Sequence, residues 1–122
     1  MTITITPNPK YVRVSFAGHV IAESLRSLVL VEGDAPPVVY IPRADVDFDL
    51  CAPTDHVTHC PHKGAAVHYN IVIHDRVAEN ALWSYEAPLP AVAAIAGHVA
   101  FYPDLVDSID ELKPNLRGGS LA

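Results

Sequence analysis

Apolar side chains fall at every second position through most of this chain, and eleven prolines interrupt it. A period of two sends successive side chains to opposite faces of an extended backbone, the pattern of a strand buried on one side. Prolines at that density leave little room for long helices. The chain is therefore expected to fold chiefly as antiparallel sheet. From Tyr11 to Ala17, Val12, Val14 and Phe16 point one way while Arg13 and Ser15 point the other. Gly18 permits a tight turn, so His19 to Glu23 can return as a hairpin partner. Leu28 to Glu32, closed by Gly33-Asp34, and Val38 to Ile41, after Pro36-Pro37, give two further strands. Val67, Tyr69, Ile71 and Ile73 alternate with His68, Asn70 and Val72, Asp75 marks a turn, and Val77, Ala81, Trp83 and Tyr85 continue on the next strand. Glu79-Asn80 breaks that alternation in the manner of a bulge. Val99 and Phe101, opposed by His98, Ala100 and Tyr102, supply one more strand.

Two segments carry a helical signal instead. Pro88 to Ala96 is alanine-rich, with Pro90 suited to a first turn and Gly97 to a C-terminal cap. Between Pro103 and Leu112, the residues Leu105, Val106, Ile109 and Leu112 fall at helical spacing. The expected architecture is mainly β: a small antiparallel barrel or a two-sheet sandwich with one or two short helices. The length of 122 residues fits a single domain, placed at 1–112, with 113–122 expected as a flexible C-terminal tail. Half of the residues are hydrophobic, and area scaling for this size buries about two-thirds of the unfolded surface. A core can therefore form without metal or disulfide support.

The net charge is −6, and the eight Lys and Arg are scattered. Nucleic-acid binding rests on a basic face that neutralises phosphates, so no nucleic-acid partner is expected. Met1 to Pro9 alternates Thr and Ile without a cationic-then-apolar signal pattern. No apolar run approaches the roughly 20 residues that cross a bilayer. A soluble, cytoplasmic protein without a membrane partner is expected, its cysteines Cys51 and Cys60 reduced.

Reactive side chains concentrate in residues 53–64, Pro-Thr-Asp-His-Val-Thr-His-Cys-Pro-His-Lys-Gly, which read as a loop. The Lys63 ammonium or a protonated histidine would lower the Cys60 pKa and raise its thiolate fraction. Cys60 with His59 or His62 could form a nucleophile and base; alternatively, Cys60 is a small buried residue ending a strand. His56, His59, Cys60 and His62 are zinc-type ligands, but in extended chain their spacing splits them between faces, and no metal is expected. Trp83 and Tyr85 share a strand face, and Tyr69 on the neighbouring strand has the same parity. Such rings can wall a pocket or fill a core. Tyr40, followed by Pro42, Arg43 and Asp45, adds a polar mouth whose guanidinium suits an anion. Asp45, Asp47 and Asp49 alternate on one strand-like face, the nearest approach to a magnesium-binding set; a solvated strand or loop edge is the favoured explanation of the three. Phosphate-cradling glycine loops are missing.

Five motifs together carry a family resemblance: Arg43-x-Asp45-Val46, Pro53-Thr54, Thr58-x-Cys60-Pro61-x-Lys63-Gly64, Trp83-x-Tyr85-x-x-Pro88 and Ile95-x-Gly97-x-Val99-Ala100-Phe101-Tyr102. In this order, over about residues 13–107, the chain resembles the DUF427 family of small, mostly bacterial proteins. The resemblance implies a β-rich tent or barrel, and some members carry a nucleotidyltransferase label. Where similar sequences often have Tyr after Pro61, His62 stands here, which changes polarity and pH response.

These readings converge on a small-molecule-binding or catalytic domain. Cys60 and Lys63 are its candidate catalytic residues; Tyr40, Arg43, His62, Trp83, Tyr85 and Tyr102 are its candidate ligand-binding residues. The aromatic rings would provide walls, and Arg43 and Lys63 would hold an anionic group. No cofactor is indicated. The alternative is a protein-interaction or homodimer module working through Leu89, Val92 and Ile95. A nucleotidyltransferase using Asp45 or Asp47 is the third reading.

Overall fold

The computed structural model describes residues 2–113. Ten strands carry the fold: β1 (Ile3–Pro7), β2 (Tyr11–Phe16), β3 (His19–Ser24), β4 (Leu28–Glu32), β5 (Val38–Pro42), β6 (Cys51–Cys60), β7 (Gly64–Ile73), β8 (Arg76–Ser84), β9 (His98–Phe101) and β10 (Ser108–Leu112). They form two antiparallel sheets, a seven-stranded one in the order β1-β4-β5-β9-β8-β7-β6 and a three-stranded one in the order β10-β2-β3. The large sheet is not closed into a barrel, so the fold is a two-sheet sandwich.

The alternating residues of the sequence fill the space between the sheets. Val12, Val14 and Phe16 of β2 and Ile21 of β3 meet Ile41, Ile71, Leu82, Val99 and Phe101 of the large sheet, all at most 6% exposed. The opposite face of the large sheet carries a second cluster: Leu30, Tyr40, Ala66, Tyr85 and Ala100, roofed by Val92 and Ile95. The large sheet is thus covered on both faces along part of its area.

Several expectations change. Pro90–Ile95 is a 3-10 segment kinked at Val92 (φ −123°, ψ 29°) rather than a two-turn helix. Of the three apolar residues nominated for partner binding, Val92 and Ile95 are fully buried in the protein's own core, while Leu89 is 42% exposed. The second expected helix resolves into a 3-10 turn, Pro103–Leu105, followed by β10. Pairing with β2 prevails over the helical spacing there, setting Ile109 opposite Val14 and Asp110 opposite Arg13. Residues 53–60, read as loop, belong to β6, whose partner is β7 alone. An edge strand tolerates Pro53; none of the residues of β6 is fully buried, and the alternation of its burial is interrupted at Asp55–Val57, where its register with β7 shifts. Asp45 and Asp49 lie in the 3-10 turns Arg43–Asp45 and Phe48–Leu50, with Asp47 between them, and not on a strand face. Strand β1 continues the large sheet through the Thr-Ile alternation of the N-terminus. The bulge at Asn80 is present, with positive φ (51°) and a register shift between β7 and β8. The expected tail lies, from residue 114 onward, outside the described residues.

Candidate functional site

On the outer face of the large sheet, next to the second cluster, a cavity of about 190 Å³ opens between strands from both halves of the chain. Its lining includes Leu30 and Glu32 of β4, Tyr40 of β5, Thr58 of β6, Trp83 of β8, and Lys63, Tyr85 and Tyr102 from the segments flanking the strands. Five of the eight nominated residues therefore share one concavity: Tyr40, Lys63, Trp83, Tyr85 and Tyr102.

The aromatic wall is held by mutual contacts. The Trp83 indole N–H donates to the Tyr40 hydroxyl at 3.3 Å, and the two rings meet edge to face at 6.3 Å. Trp83 and Tyr102 lie 4.4 Å apart between centroids. Burial raises the Tyr40 phenol to about 12, and burial also raises Tyr85 and Tyr102. All three phenols are therefore neutral at physiological pH and act as hydrogen-bonding walls.

One ion pair supplies the charge. Lys63 Nζ donates to Glu32 Oε1 at 2.7 Å, with the two side chains only 12% and 18% exposed. Burial works against the Lys63 ammonium, but the Glu32 carboxylate and the neighbouring Cys60 sulfur outweigh it and hold its pKa above the ordinary value. Glu32 is held below its ordinary value, chiefly by the hydrogen bond from Lys63. The turn between β6 and β7 fixes Lys63: its N–H donates to Cys60 O at 3.2 Å and its carbonyl accepts from Leu89 N–H at 2.9 Å. Gly64 follows at φ 113°, a conformation that side chains rarely adopt.

The other nominated residues stand apart. Arg43 is absent from the cavity lining: its guanidinium lies 4.1 Å from the Phe48 ring centroid, donates to the Tyr69 hydroxyl at 3.3 Å and sits 3.7 Å from Glu86. His62 is exposed in the turn and does not line the cavity. Cys60 is half-buried and packs against the outer cluster beside Lys63, at the cavity's border. No hydrogen bond among the described residues joins its sulfur to His59 or His62, both exposed. Cys51, nine residues earlier, is raised to about 12 by burial and by Asp47, so it is an inert thiol.

Tyr69 belongs to the inner core, stacked edge to face on Phe48 at 5.2 Å, and not to the wall that Trp83 forms. The two-residue His74-Asp75 turn sets Ile73 opposite Arg76, and the register shift at the Asn80 bulge then brings His68 opposite Trp83. Directly opposed residues share a face, so His68 is the ring beside Trp83. His68 is 1% exposed, its Nε2 lies 3.1 Å from the Tyr102 hydroxyl, and its ring touches His56 at 4.6 Å. Sequence reading missed both His68 and Glu32. The length of the β7–β8 turn was the available signal for His68, whereas nothing local distinguishes Glu32 from any strand-ending glutamate.

A family model described as a domain of unknown function, DUF427, matches residues 4–111, most of the chain. The chain belongs to the DUF427 family. The family's short name also carries the abbreviation of a nucleotidyltransferase domain. No curated protein matches the chain. The match spans every strand of the sandwich except the first residue of β1 and the last residue of β10. This DUF427 domain brings no three His, Cys, Asp or Glu side chains together in a metal-holding arrangement among its described residues. It has no helix long and apolar enough to cross a membrane among those residues.

Proposed function

We propose that this domain binds a small molecule in the aromatic cavity, with Tyr40, Trp83, Tyr85 and Tyr102 as walls and Lys63 as the polar anchor. The observation that carries the reading is the meeting of four aromatic side chains with a half-buried ion pair in one concavity. Ligand sites are typically apolar concavities with a few placed polar groups. Cys60 is the nucleophile nearest to this space, and a covalent role for it would start from the edge of the same cavity.

Nucleotidyl transfer has weaker support. A cavity of about 190 Å³ exceeds by little the ~150 Å³ that accommodates a single benzene ring, and a nucleoside triphosphate is several times larger. The carboxylates such a reaction would recruit are engaged elsewhere. Asp45 accepts from Ser24 at 2.7 Å and from Arg26 at 3.0 Å, and Asp47 accepts from the Asp49 N–H.

The chain has one tryptophan, Trp83, which lines this cavity and also a second one of about 290 Å³ beside Val14, Ile41 and Phe101. Its emission therefore reports binding at either, and the Lys63→Ala variant assigns it to the first. Small ring compounds and anionic metabolites, and nucleotides with and without magnesium, are titrated against the protein while its emission and melting temperature are followed. The expected result is a saturable change for a ring-sized compound that Lys63→Ala weakens without loss of fold. Saturable binding that leaves Trp83 emission unchanged would place the ligand elsewhere and overturn the reading.

A further inference from the structure

Lys63 and Glu32 cancel each other's charge at the cavity wall. Each retains hydrogen-bonding capacity that no hydrogen bond among the described residues uses. Among the described residues, Lys63 Nζ has one hydrogen-bond partner of oxygen type, Glu32 Oε1, and Glu32 Oε2 has none. An ammonium carries three donors and a carboxylate about four acceptor positions. The cavity therefore presents a donor and an acceptor side by side, with no net charge, below walls of neutral aromatic rings.

Resting on the binding reading above, we propose that the cavity selects an uncharged, planar, single-ring molecule with a cyclic amide edge. The ring carbonyl accepts from Lys63 Nζ, and the adjacent ring N–H donates to the Glu32 carboxylate. The ring itself packs against Trp83 and its aromatic neighbours. Size and charge both argue for this class. The volume of about 190 Å³ holds one ring with small substituents. A carboxylate ligand must either lie against Glu32 or displace it from Lys63, leaving a half-buried carboxylate unpaired. A cationic ligand meets the same obstacle at Lys63. A molecule offering one acceptor next to one donor satisfies both groups and leaves their pair intact, and both new bonds are assisted by charge.

The test is a titration of the intact protein with three probes, read at the Trp83 indole resonance by proton–nitrogen NMR. The probes are 2-pyridone, N-methyl-2-pyridone, which keeps the ring and carbonyl but lacks the donor, and benzoate. The expected result is saturable binding of 2-pyridone with N-methyl-2-pyridone and benzoate each about tenfold weaker or more, the discrimination expected of one charge-assisted hydrogen bond. In Glu32→Gln, whose Lys63 charge is no longer cancelled, the order is expected to reverse in favour of benzoate. Equal affinity for the two pyridones, or tighter benzoate binding to the unaltered protein, overturns the amide-edge assignment while the cavity stands as a binding site. If no probe moves the Trp83 resonance, the cavity reading falls as well. The comparison of the two pyridones needs no variant, so it decides the matter even if Glu32→Gln fails to fold.

Discussion

At the scale of single residues, the cavity depends on hydrogen bonds between neighbours that are distant in sequence. Tyr40 is 1% exposed, and its hydroxyl is the protein partner of the Trp83 N–H across 43 positions. In Tyr40→Phe the ring shape is kept while the indole N–H loses that acceptor. The expected cost is about 1 kcal/mol of unfolding free energy, toward the low end of the range for an unsatisfied donor because Trp83 is only half-buried. Urea denaturation followed by Trp83 emission measures it, and an unchanged midpoint would mean that water replaces the hydroxyl at no cost. The residue types that line the cavity were largely legible: the Thr-x-Cys-Pro-x-Lys-Gly stretch, the Trp-x-Tyr pair and Tyr40 stand out by chemistry alone. Their partners were not. Glu32 and His68 are ordinary in their local context and gain significance only from which strand lies opposite, and strand order is a tertiary fact. Arg43 shows the converse. Its chemistry invited an anion, but the Phe48 ring that it covers is five residues downstream across a 3-10 turn that alternation does not foresee.

Among the elements, strands buried on one face were read closely, because their alternation is enforced by the core between the sheets. β4 matches its expected bounds, and β2, β3 and β5 differ by a residue. Edge strands β1 and β6 were missed as strands for different reasons: β1 alternates Ile with Thr over only four residues before Pro7, whereas β6 has no fully buried side chain and carries the proline, histidine and threonine content of a loop. β10 was mistaken because five residues of strand following a proline turn contain too few periods to separate 2.0 from 3.6. The β6–β7 turn is the element on which the candidate site most depends, since it carries Lys63 to the cavity. Gly64 holds this turn at φ 113° beside the Pro88-Leu89 backbone, where an added Cβ would meet atoms at 3.7 Å, ordinary contact distance. The difficulty for Gly64→Ala is therefore conformational rather than steric crowding by neighbours. The expected loss is about 1–3 kcal/mol, the cost of a side chain in a sparsely populated backbone region. If the chain relieves that strain by shifting the turn, the Lys63–Glu32 pair is disturbed too. Gly64→Ala should then lose ring-compound affinity along with stability, whereas Tyr40→Phe should lower stability more than it lowers affinity. Measuring both quantities on both variants separates a turn that positions Lys63 from one that only closes a hairpin.

Across the whole molecule, acid titration separates the contribution of the buried His68 from that of the ion-paired carboxylates Glu32 and Asp45. His68 is pulled below its ordinary value of 6.5, first by burial and then by His56. The unfolded chain therefore takes up this proton before the folded one does, and stability falls as pH drops from about 6.5 toward the lower folded value. Glu32 is held below its ordinary 4.5 chiefly by the bond from Lys63. Asp45 is held below 3.8, since Arg26 and Ser24 together outweigh the opposing effect of its burial. Their contributions are present above those ordinary values and disappear as pH falls through the folded ones, so they form a second, more acid step. Denaturation midpoints between pH 7.5 and pH 3 should accordingly fall in two stages. His68→Gln should flatten the first stage and leave the second, and Glu32→Gln should reduce the second and leave the first. A wild-type protein whose midpoint stays level from pH 7.5 to pH 5 would show that His68 binds its proton equally in both states, and would remove it from the account of the outer face. If the first stage appears and His68→Gln removes it, the ring behind Tyr102 is a neutral imidazole at pH 7. The cavity would then be lined at that pH by neutral rings and one self-compensated ion pair, the electrostatic condition on which selection of an uncharged ligand rests.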